Sequence, residues 1–179
     1  MSVETLNYFL ALGTLLLQIV TFVLLVSYFS PALVPASSQI NEWLGKRGLL
    51  IAFVATLGGL LMTLFYSDVL GFEPCPLCWW QRIFLYPQVI LFGYVLCRRG
   101  LHKRAAVDFS IALSILGAGV ALYQHALQMF GEGSLPCPAT GVSCAQRILF
   151  EFGYITFPLM AFSLFAFLIV VMLFVRKRA

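Results

Sequence analysis

The chain alternates between long apolar runs and short charged breaks. Uncharged stretches extend from Thr5 to Asn41, Gly48 to Ser67, Ile83 to Cys97, Phe109 to Gly131 and Phe152 to Val175. A helix needs about 20 apolar residues to cross the hydrocarbon core of a bilayer, and four of these runs are that long. Pro31 and Pro35, with Ser37 and Ser38, end the first helix near Ser30. The run from Ile83 is too short alone. It reaches spanning length if Trp79, Trp80 and Gln81 sit at the interface and Arg82 extends its head towards water. The pattern therefore predicts five membrane helices, near residues 5–30, 48–70, 79–97, 106–130 and 153–175. Pro87 kinks the third, which is tolerable if the freed carbonyl finds a partner within the bundle.

Composition agrees. Of 179 residues, 61% are hydrophobic and 10% charged, whereas soluble domains carry about 25% charged residues. This excludes a disordered tail, a coiled coil and an ordinary soluble enzyme. The net charge of +4 does not suggest nucleic acid, because long uncharged stretches separate the basic residues instead of one polar face collecting them.

Charge sets the orientation. Lys46 and Arg47, then Arg98, Arg99, Lys103 and Arg104, then Arg176, Lys177 and Arg178 alternate correctly for five spans with those segments cytoplasmic. The N-terminus and the loops 70–79 and 130–153 then lie outside, with Arg82 and Arg147 as their cations. A cleaved signal peptide over residues 1–36 is not expected: a basic n-region is lacking and the apolar run is too long. Residues 1–47 read as an additional helix with its cytoplasmic loop, and 48–179 as a four-helix unit with two external loops.

Topology sorts the cysteines. Cys75 and Cys78 form Cys-Pro-Leu-Cys in one external loop, Cys137 and Cys144 share the other, and Cys97 lies at the cytoplasmic end of helix 3. Disulfides persist on the oxidising side, which fits two bridges and one free thiol. Three readings compete. As structural staples, a two-residue spacer is poor, because so small a loop removes little unfolded-state entropy and strains the bridge. As a tetrahedral zinc or copper site, the six-residue spacer of 137–144 is loose. As a redox relay, Cys78 sits by a helix N-terminus, where the dipole favours a thiolate, and Arg82 lies one turn further on.

Cys-Pro-Leu-Cys-Trp-Trp-Gln-Arg between two spans, a second cysteine pair between the next two, Tyr-Gln-His-Ala-Leu-Gln at 123–128 and Cys-Ala-Gln-Arg at 144–147 resemble the DsbB/BdbC disulfide bond formation proteins. The similar vitamin K epoxide reductase family has the opposite order of pairs. The resemblance covers residues 48–175. It implies an all-α membrane protein, a four-helix bundle of the DsbB type, here with an additional N-terminal helix. It also implies redox disulfides 75–78 and 137–144. Electrons would pass from an extracytoplasmic thioredoxin-fold oxidase (DsbA/BdbD-like) to 137/144, then to 75/78, then to a membrane quinone, ubiquinone or menaquinone. The implied location is the bacterial cytoplasmic membrane. By the family's pattern Cys137 forms the mixed disulfide, Cys78 faces the quinone, and Arg82 and His125 are quinone-side residues.

Other residues have plainer expectations. Trp79 and Trp80 read as interfacial anchors, and Arg147 as a partner of Glu151 at i+4. Gly117, Gly119 and Ala121 allow close helix packing. His102 has no assigned role. Two features depart from the family: the first span, and the short 137–144 spacer, which is of the BdbC type.

Overall fold

A computed structural model describes residues 3–33, 37–98, 102–131 and 142–177. Five helices follow one another: α1 (Val3–Phe29), α2 (Ser37–Leu64), α3 (Pro76–Cys97), α4 (Lys103–Phe130) and α5 (Phe157–Arg176). A 3₁₀ turn, Pro31–Leu33, follows α1, and a π turn, Phe65–Val69, extends α2. Four of the helices, α1, α2 with its π turn, α4 and α5, are long and apolar enough to cross a membrane. The remaining helix, α3, carries Gln81, Arg82 and Gln88.

Two boundaries differ from the expected ones. α2 begins at Ser37, not near residue 48, because the charges that end an apolar run do not end a helix; Lys46 bonds Glu42 at 2.8 Å in the helical i, i+4 geometry. It therefore runs unbroken through position 47/48. α5 begins at Phe157 rather than 153. Phe152 and Gly153 take positive φ, Glu151 bridges Ile155, and Thr156 caps the helix by accepting from the Leu159 N–H, with proline in the first turn.

α2, α3, α4 and α5 each pack on the next, and α5 closes the ring against α2. α1 lies outside that ring, mainly against α5. α1 is apolar outwards and polar inwards. Phe9, Leu16, Ile19 and Phe22 are exposed, whereas Asn7, Ala11 and Thr14 are buried and Gln18 bonds Ser163 of α5 at 2.9 Å. In water this arrangement would be inverted; it suits lipid outside and close helix contact inside. α4 repeats the device with Ser110, Ser114, Gly117, Ala121, Gln124 and Gln128, all buried. A side chain added at Gly117 would overlap the Phe165 ring, but Gly119 faces open space, so only the first serves packing.

The contacts define two ends. Lys177 over Tyr28 and Arg176 paired with Asp108 at 2.9 Å gather the basic end. Tyr66 bonded to Asn7 and packed on Phe157 gathers the opposite end. Between α3 and α4, buried Gln88 bonds Ser110 at 2.7 Å and Ser114 at 3.2 Å. It also donates to the Phe84 carbonyl at 3.0 Å, beside the turn interrupted by Pro87.

Candidate functional site

Cys75 is the N-cap of α3, and Pro76 supplies a first-turn residue without an N–H. The Cys75 sulfur accepts the Cys78 backbone N–H at 3.3 Å. The first-turn amide thus serves Cys75, not Cys78 as the dipole argument would have it. The two sulfurs stand 2.7 Å apart as free cysteines, far closer than an ordinary sulfur contact. Cys75 is buried and Cys78 half-buried.

Across from them, Gln124 of α4 is 2% exposed. Its amide nitrogen lies 3.0 Å from the Cys75 sulfur and 3.3 Å from that of Cys78, while its oxygen accepts from Gln81 at 2.6 Å. Neither glutamine stood out as a site residue in the sequence. The available signal was a pair of amides within helices that are otherwise apolar, where a polar group needs a partner.

Both cysteines precede the apolar part of α3, and their ionisation differs. The hydrogen bond between the two side chains lowers the Cys78 pKa to about 6; burial opposes this, while Gln124, the Cys75 backbone and the Arg82 charge reinforce it. The same bond to Cys78, with burial, raises that of Cys75. A thiolate is the nucleophile in disulfide exchange, so the charge rests on Cys78.

Cys144 is buried and disulfide-bonded. It shares one apolar cluster with Cys75 and Leu127, flanked by Leu77, Cys78 and Tyr123. Cys144 therefore packs directly on the first pair. Cys137, the expected site of the mixed disulfide, lies outside the described residues.

Arg82 reaches from α3 to the Thr63 carbonyl at 3.0 Å and stacks on Trp79, 5.1 Å from the ring centre. It lines an open cleft of about 350 Å³ with Leu64, Trp79, Tyr86, Asp68 and Glu73. Trp79 thus belongs to the cleft as well as to the interface, while Trp80 is half exposed and stacks on Phe84. His125 points elsewhere: its Nδ1 lies 2.9 Å from the hydroxyl of Thr156, the α5 cap. Arg147 does not take Glu151. It donates to the Gln128 carbonyl at 2.6 Å, in the last turn of α4, and covers the Phe150 ring. A helix-end carbonyl without an intrahelical partner competes well with a carboxylate near the surface.

Residues 45–175 match the family described as disulfide bond formation protein DsbB. The SPbeta prophage-derived disulfide bond formation protein B of Bacillus subtilis is 36% identical over 121 residues, 68% of this chain and 80% of that protein. A probable disulfide formation protein C 1 of Bacillus cereus is 35% identical over 111 residues, 62% of this chain and 75% of its own. A probable disulfide formation protein of Metapseudomonas resinovorans is 34% identical over 133 residues, 73% and 88% of the two chains. No solved structure matches the chain. With a cysteine pair at one end of a helical bundle and a disulfide-bonded cysteine packed on it, the chain belongs to the DsbB family of membrane disulfide bond formation proteins.

Proposed function

We propose that the protein is a quinone-linked thiol–disulfide oxidoreductase that reoxidises an extracytoplasmic thioredoxin-fold dithiol oxidase of the DsbA/BdbD kind. The observation that carries this reading is the single cluster holding Cys75, Cys78 and disulfide-bonded Cys144. A thiolate of the reduced partner attacks Cys137 and breaks the 137–144 bridge, releasing the Cys144 thiolate. The partner's second thiolate then attacks the mixed disulfide, leaving the partner oxidised and 137/144 as a dithiol. A thiolate of that dithiol attacks Cys75 in the 75–78 bridge. Cys78 leaves as the more stable thiolate, and the remaining loop thiolate resolves the new bridge, so 137–144 re-forms and 75/78 takes up the electron pair.

The Arg82 cleft fits a quinone. Leu64, Trp79 and Tyr86 offer apolar and aromatic walls, and Arg82 keeps N–H donors beyond the one on Thr63. A quinone bound there supplies the final two-electron acceptor. Arg82 would orient an acceptor oxygen and hold negative charge near the Cys78 thiolate. His125, held by Thr156 and not among the residues lining the Arg82 cleft, has no part in this reading.

We read the chain as crossing the membrane five times, with α3 as the fifth span. α3 runs from the end with Gln124 to the end with the basic residues, and its part beyond the cysteines, residues 79–97, extends about 29 Å, close to the thickness of the hydrocarbon core. The side carrying Lys46, Lys103 and Arg176 is then cytoplasmic. A four-thiolate metal site is disfavoured, because the Cys144 sulfur is committed to a disulfide.

The partner step is tested in cells with Cys144→Ser, which leaves the Cys137 thiol to attack an oxidised partner without an internal competitor. A reductant-sensitive adduct with a thioredoxin-fold protein is expected, and it should vanish in the Cys137→Ser/Cys144→Ser double variant. No adduct, or one that survives the double change, would contradict the relay.

A further inference from the structure

We propose that Gln128 and Arg147 form a latch that keeps the Cys144 sulfur seated over the Cys75–Cys78 pair after its own bridge has opened. The inference rests on reading the two cysteine pairs as a relay. In that relay the 137–144 bridge breaks once per cycle, and Cys144 loses a covalent tether just when the two pairs must exchange. Residues 142–150 contain no helix or strand, so regular secondary structure does not hold Cys144 in place. Two bonds to the last turn of α4 do so instead. The Arg147 Nε donates to the Gln128 carbonyl at 2.6 Å, and the Gln128 side-chain amide donates to the Gln146 carbonyl at 2.8 Å. Residue 128 thus grips positions 146 and 147, two and three residues past the sulfur, with its main chain and its side chain together. Its carbonyl has no i+4 partner within α4, which ends at Phe130, so the bond to Arg147 takes nothing from the helix.

One face of α4 sets both partners of the exchange. Gln124, Leu127 and Gln128 stand at i, i+3 and i+4, on the same side of the helix, and all three are buried. The Gln124 amide nitrogen lies 3.0 Å from the Cys75 sulfur, Leu127 shares the apolar cluster of Cys75 and Cys144, and Gln128 holds the segment that follows Cys144. The separation of the two cysteines is therefore fixed by one helix and not by the length of the loop. Such a tether raises the effective concentration of one thiol at the other. Neither bond of the latch involves a sulfur, so it is the same with the 137–144 bridge open or closed. Gln128 and Arg147 are positioning residues: they touch no reacting atom and act through where Cys144 sits.

The test is the equilibrium between Cys75 and Cys144 in full-length Cys78→Ser/Cys97→Ser/Cys137→Ser protein, held in detergent micelles and poised in glutathione buffers. The two protein thiols give two electrons and two protons to one glutathione disulfide, which becomes two glutathione molecules. The ratio of bridged to open protein, set against the buffer, gives the effective concentration of one thiol at the other. Quinone and partner are absent. Arg147→Leu and Gln128→Leu should each lower this value about fivefold, and Arg147→Lys, which keeps a donor of similar reach, should restore most of it. The same substitutions in Cys97→Ser/Cys137→Ser/Cys144→Ser protein should leave the equilibrium of Cys75 with Cys78 unchanged, whereas a general loosening of the fold would lower both. Circular dichroism reports whether each variant keeps its helices; if Arg147→Leu does not, Gln128→Leu decides. A helical leucine variant with the parent's Cys75–Cys144 value, or with an equal fall in both equilibria, would overturn the latch and leave the relay standing. If that bridge does not form even in the parent, the relay falls together with the latch.

Discussion

At the scale of single residues, the chemistry depends on where one negative charge sits. Cys78 is lowered to about 6 by the Cys75 thiol and the groups around it, while Cys75 is raised. A group with a lowered pKa is anionic above that value, so wild-type Cys78 should alkylate at a nearly constant rate above pH 7. The rate should fall as pH drops through about 6, with Cys75 unreactive throughout; equal labelling of both would contradict the assignment. Arg82 acts at the same scale. Arg82→Gln should reduce quinone turnover by about tenfold to a hundredfold, with Arg82→Lys between, since a point charge replaces a forked donor. An unchanged rate in Arg82→Gln would remove Arg82 from the site. Cys75, Cys78, Cys144 and Arg82 could be singled out from the sequence because cysteine spacing and a lone cation among apolar residues are visible in one dimension; Cys137 lies outside the described residues. Gln124 could not be singled out, because its meaning comes from the opposing helix: only the fold sets position 124 against 75 and 78.

At the scale of elements, helices were legible as apolar runs and illegible where something other than apolarity held them. The charged first third of α2 is helical through Glu42 and Lys46, and no hydropathy pattern marks it. The start of α5 was readable, since Thr156 before Phe157 and Pro158 is a capping sequence; the apolar run that continues upstream to Phe152 masked it. The inward stripe of α4, Ser110 to Gln128 in steps of four and three, is likewise present in the sequence as small and polar residues at helical spacing. It separates the glycines. Gly117→Ala drives a methyl into the Phe165 ring and should cost about 1–3 kcal/mol. Gly119→Ala, facing open space, should leave the melting temperature in detergent unchanged. Equal effects from the two substitutions would show that the α4–α5 contact is not as described.

At the scale of the whole molecule, the helix outside the ring is tied to the working end. Asn7 bonds Tyr66 of the π turn, and Ala11 packs with Leu149 and Ile155, in the segment that follows Cys144. α1 thus touches both the wall that leads to the Arg82 cleft and the stem of the second cysteine loop. An Asn7→Leu and Tyr66→Phe double-mutant cycle should give a coupling of about 1 kcal/mol in thermal unfolding; additive effects would mean that α1 is bound by its apolar contacts alone. The whole arrangement brings a disulfide-bonded loop cysteine, an inner cysteine pair and the Arg82 cleft to one end of a lipid-facing bundle. The most direct measurement is quinone reduction by the purified protein given a reduced thioredoxin-fold donor. The account predicts one quinone reduced for every two donor thiols oxidised, with activity abolished by Cys78→Ser. A rate that survives Cys78→Ser would contradict it.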